Sequence, residues 1–166
     1  MDAGLLIVRL VFGSLMAAHG SQKLFGWFGG YGLTGTGGFF EGLGFRPGRL
    51  FAAIAGLAET FGGLLFALGF LEPIAAMAII SVMVVAIGSV HWGNGLFAAT
   101  NGIEVPLLYA SAAAALALTG PGNYSFDAIS GLVPVWTLTL KLLAVAAGVT
   151  GGLANLISRR PLPQPA

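Results

Sequence analysis

Five apolar stretches, each close to the ~20 residues an α-helix needs to cross a bilayer's hydrocarbon core, take up most of this 166-residue chain. They run from about Ala3 to Phe25, Leu50 to Leu71, Glu72 to His91, Gly102 to Thr119 and Pro134 to Ser158. Turn chemistry separates them: Gly29-Gly30, Gly93-Asn94-Gly95, Asn101-Gly102 and Gly120-Pro121-Gly122. Charged residues make up only 8% of the chain, against about a quarter in soluble domains. So few charges cannot cover a water-soluble globule, and lipid is the solvent that fits. The expectation is an all-α, multi-pass membrane protein. The absence of cysteine excludes disulfides, thiolate metal sites and iron–sulfur ligation. A net charge of +1 offers no footprint for nucleic acid.

No basic segment precedes the first stretch, and its earliest cation, Arg9, lies inside it, which predicts a retained helix rather than a cleaved signal peptide. Residues 161–166, rich in proline, are expected to be a disordered tail. Between the first two stretches, Phe39, Phe40, Leu43 and Phe45 alternate with Glu41, Arg46, Arg49 and several glycines. This predicts a short helix lying at the interface or folding back on the bundle. Lys23, Arg46, Arg49, Arg159 and Arg160 fall on one side if there are five spans. By the positive-inside rule that side is cytoplasmic and the N-terminus lies outside.

All five stretches are rich in small residues, which let helix backbones approach where lipid supplies no hydrophobic drive. Gly148 with Gly152, and Ala52 with Gly56, read first as packing within the chain and second as a homo-oligomer interface. Ionisable groups inside a membrane usually have a partner or a purpose. Arg9 and Glu59 are placed at similar depth on the first two helices and are predicted to pair. His19, Lys23, His91 and Glu104 gather at the cytoplasmic ends of their helices. With Glu59 they are the candidates for holding a polar ligand head or handling protons. Interfacial anchoring is the plainer reading for Lys23 and Trp92. A haem between His19 and His91 has only the minimum of two ligands behind it, and no metal site is predicted.

Several of these residues sit in recurring patterns. They are Arg9-Leu10 leading to His19-Gly20-Ser21-Gln22-Lys23, then Phe39-Phe40 with Leu43-Gly44, then Ala58-Glu59 with Gly62-Gly63. Glu104 and the run Gly120-Pro121-Gly122-Asn123-Tyr124-Ser125-Phe126-Asp127 complete them. Together, over about residues 4 to 128, they resemble the DoxX family of small bacterial integral membrane proteins. The resemblance implies a four-helix transmembrane bundle over residues 1–130, to which this chain adds a fifth C-terminal helix over 131–160. It also implies the inner membrane. Family members are linked to terminal quinol oxidase, to thiosulfate:quinone oxidoreduction and to a complex that assembles oxidative-stress enzymes. Its motif positions fall on Arg9, His19, Lys23, Glu59 and Glu104, and Asp127 is expected to cap a turn or the last helix.

The first functional reading is therefore a subunit or accessory of a respiratory or redox-stress complex that binds quinone, with lipid around it and protein partners beside it. A quinone carbonyl needs a donor such as His or Lys, and its reduction needs a proton route. The second is a non-enzymatic scaffold or assembly factor, favoured by the lack of any recognisable catalytic motif. A third, a small transporter, needs a continuous polar path through a small bundle.

Overall fold

The computed structural model describes residues 1–160, all helix and connection, with no strand among them; the predicted tail lies outside the described residues. The helices are α1 (Asp2–Phe25), α2 (Gly32–Gly42), α3 (Gly48–Leu68), α4 (Glu72–Ala86), α5 (Glu104–Thr119), the short α6 (Phe126–Ile129) and α7 (Leu138–Ile157). A π-helical turn, Ile87–His91, carries α4 on toward Asn94. Among the described residues four helices are long and apolar enough to cross a membrane: α1, α3, the extended α4 and α7. With 16 residues, α5 rises only ~24 Å, short of the ~30 Å hydrocarbon core.

Helix ends follow local chemistry. Gly26 closes α1 in the left-handed region, and Gly69 does the same for α3 at φ 63°, ending that helix before the expected Leu71. The predicted short helix of the first connection is α2, which packs on α3 and α1.

α1 and α3 form the tightest antiparallel pair, joined by glycine. A Cβ on Gly13 would stand 2.5 Å from the Ala67 backbone nitrogen, and one on Gly63 would stand 2.5 Å from that of Ala17. A Cβ on Gly20 would stand 2.4 Å from the Thr60 backbone nitrogen and 2.6 Å from the Gly56 carbonyl oxygen. Ala52 is buried and Gly56 faces Leu24, while Gly148 and Gly152 pack on Ile80 and Val84 of α4. Both small-residue pairs are thus occupied within the chain. We expect Gly20→Ala to cost ~1–3 kcal/mol by forcing the two helices apart, measured by denaturant unfolding in detergent. Gly4→Ala, with open space around it, is the control and should be neutral or stabilising by up to ~1 kcal/mol.

The interior is the reverse of a soluble core at its polar positions. Arg9, Glu59, Glu72 and Asp127 are buried, alongside Met16, Phe66, Ile79 and small residues. Many large apolar side chains, Ile7, Leu15, Phe61 and Leu143 among them, face outward. That distribution suits lipid, which solvates leucine and excludes charge.

Candidate functional site

Buried charge collects at the two ends of the bundle. At the end where α1 finishes, Lys23 Nζ donates to Glu59 Oε2 at 2.5 Å, their side chains 25% and 3% exposed. The predicted Arg9–Glu59 pair is therefore not formed. Its error is one of register: the glycine contacts set Gly13 against Ala67 and Gly20 against Thr60, so Arg9 lies beside Gly69 and Glu59 faces the last turns of α1. Lys23 is fourteen residues beyond Arg9, ~21 Å further along the helix.

Around the Lys23–Glu59 pair, His19, His91 and Tyr109 line one cavity of about 140 Å³ with it. The His91 Nδ1 lies 2.8 Å from the Asn101 carbonyl, so it carries the proton and donates. His19 Nδ1 meets Gln22 Oε1 at 3.2 Å, while Gln22 Nε2 donates to the Phe28 carbonyl, which fixes the amide orientation. In the neutral form each imidazole then keeps Nε2 as an acceptor. His19 stands edge-on to Tyr109 at 6.1 Å between centroids.

A larger cavity, about 470 Å³, opens on the other side of the ion pair. Phe39, Phe45, Phe51, Ile54 and Val85 supply apolar wall, and Lys23, Glu59 and His91 close its polar end. The size and lining suit an apolar ligand with a polar head.

Glu104 does not join this group. Its Oε2 accepts from the Ala98 backbone N–H at 2.7 Å and so braces the connection between α4 and α5. Four of the five candidates, His19, Lys23, Glu59 and His91, share the smaller cavity. Tyr109 was missed by sequence reasoning. Its signal was a polar tip in an otherwise apolar helix, five residues past Glu104. Among the described residues no group of three His, Asp or Glu is arranged to hold a metal ion.

At the opposite end Arg9, fully buried, donates to the Tyr124 carbonyl and lies within electrostatic range of Glu72 and Asp127. Asp127 caps α4 rather than the last helix. Its carboxylate accepts from the Leu71 and Glu72 backbone N–H groups at 2.8 and 3.0 Å and from the Trp136 indole at 3.0 Å. Nearby, Asp2 accepts from the backbone and side chain of Asn123. This end is braced by charged residues from three elements, α1, α4 and α6, and its network joins the N-terminus to the loop after α5.

No curated protein and no solved structure matches the chain. The DoxX family model matches residues 4–92, from the first turn of α1 to the end of the π-helical turn, taking in His19, Lys23, Glu59 and His91. With more than half of its length so matched, on an all-helical frame of apolar helices, this membrane protein belongs to the DoxX family.

Proposed function

We propose that the protein binds a quinone in the larger cavity, as a membrane subunit or accessory of a redox complex. The observation that carries this reading is a 470 Å³ aromatic-walled space lined also by the buried Glu59 carboxylate, its partner Lys23 and a histidine. The Lys23 ammonium has three donors and gives one to Glu59. A carbonyl oxygen entering the polar end finds another. The electrons come from a partner protein.

The same proposal takes five membrane crossings in the bacterial inner membrane, with the N-terminus outside. Support comes from the two ends of α7. Arg159 Nε and the Arg160 backbone N–H donate to the Leu43 and Gly44 carbonyls, beside the Lys23 end of α1. Lys141, near the start of α7, donates to the Leu118 carbonyl at the far end of α5. On this reading the chain travels the height of the bundle between α4 and α7, and the 16-residue α5 makes the journey.

A reduced-minus-oxidised ultraviolet difference spectrum of gently purified protein tests the reading. A quinone difference is expected, and it should be lost in Ala55→Phe, which fills the cavity without removing a charge. A flat spectrum from membranes that contain quinone would favour the scaffold reading. Haem bands would return His19 and His91 to consideration as axial ligands.

A further inference from the structure

The Lys23–Glu59 pair is a partition. Lys23, Glu59, Ala86 and His91 line both the 470 Å³ cavity and the 140 Å³ one behind it. The two spaces differ in character. The larger is walled by aromatic and aliphatic side chains, whereas the smaller gathers His19, His91 and Tyr109 around the back of the carboxylate. A space of this size holds several waters, and it offers them the polar partners that ordered water needs. Tyr109, only 8% exposed, lines the same chamber as Glu59. Val105, 43% exposed, and the exposed His19 stand at the rim.

We propose that the smaller chamber is a proton antechamber: water held by His19, His91 and Tyr109 delivers protons to Glu59, which passes them to a quinone on its other face. The proposal rests on the quinone reading. Reduction of the quinone to the quinol takes two electrons and two protons. The electrons arrive from a one-electron donor, and each proton taken from Glu59 is replaced from the chamber. Groups facing Glu59 are Lys23 from α1, His91 from the end of α4 and Tyr109 from α5. His91 and Tyr109 can each donate or accept through water without leaving their places, and the Lys23 ammonium can donate. Within this route His19 and Tyr109 are positioning residues for the water.

The test uses the whole protein in detergent, loaded with a short-chain ubiquinone analogue at less than one equivalent, and reduced methyl viologen as donor. Two viologen radicals, one quinone and two protons give two viologen dications and one quinol, so proton uptake is read directly with a pH-indicating dye. Tyr109→Phe removes the hydroxyl, and Val105→Phe plugs the rim without touching the ion pair. Both should bind the analogue within about twofold of wild type and take up protons at least about tenfold more slowly, the low end for loss of a positioned proton-transfer group. Unchanged uptake in both variants, with binding intact, overturns the antechamber and leaves the quinone site standing. A parallel fall in affinity and rate would show a structural role only. Failure of the wild type to bind the analogue overturns the quinone reading and the antechamber with it.

Discussion

Replacing Lys23 with methionine should destabilise the folded protein by ~3–5 kcal/mol, because it leaves the Glu59 carboxylate buried without its counter-charge. Glu59 is 3% exposed, and its cationic partner is the Lys23 ammonium at 2.5 Å. Glu59→Gln should cost less. Lys23, 25% exposed, can turn its long stem toward the interface and recover solvent for its charge. The double variant Lys23→Met, Glu59→Gln removes both charges and should regain all but ~1 kcal/mol of the loss, since two neutral groups in an apolar setting incur no ionic desolvation. Denaturant unfolding of the four proteins in detergent closes the cycle. Simple addition of the two single effects would mean that the pair is not coupled and that the partition between the cavities is not an ionic one.

How much of this was legible in the sequence depends on which forces fix each feature. Helix existence was legible because length and apolarity decide it in lipid, and the stop at Gly120 fell where its turn chemistry put it. The charged residues were legible as important, since each costs too much in a membrane to be incidental. Their partners were not. Pairing was inferred from depth alone, whereas depth is set by the register of two glycine faces, Gly13 and Gly20 on α1 against Gly63 and Gly56 on α3. Both pairs are seven residues apart. Matching them antiparallel places Glu59 near the end of α1, which is the clue that was available. Glu104 was misplaced for another reason. A carboxylate at a helix N-terminus can serve a ligand or its own loop equally well, and only the Ala98 backbone contact decides. Asp127 was expected to act locally, yet it caps a helix 55 residues upstream, a contact that no local pattern contains.

Arg9→Leu should be as damaging as Lys23→Met, and through a separate part of the molecule. It strips the cation from a cluster holding two buried carboxylates, Glu72 and Asp127, both 0% exposed. It also deletes the donor to the Tyr124 carbonyl. Breaking such a cluster by removing one sign of charge costs ~3–5 kcal/mol. Adding Glu72→Gln should return part of that, because the amide cannot carry the charge that Arg9 was there to offset. Asp127 cannot be neutralised as cheaply, since its oxygens also serve Leu71, Glu72 and Trp136. Tyr124 lies in the loop that joins α5 to α6 and meets Asp2 through Asn123. Losing the Arg9 anchor should therefore raise hydrogen exchange over residues 120–127 before it affects the Lys23–Glu59 end. The two ends are far enough apart for their effects to add within ~0.5 kcal/mol, as sites more than ~10 Å apart usually do. A combined Arg9→Leu, Glu59→Gln protein measures this directly. Additivity is expected from the register that the glycines impose. A coupling above ~1 kcal/mol, the size contacting residues show, would mean that α1 and α3 slide far enough in the membrane to bring Arg9 and Glu59 together.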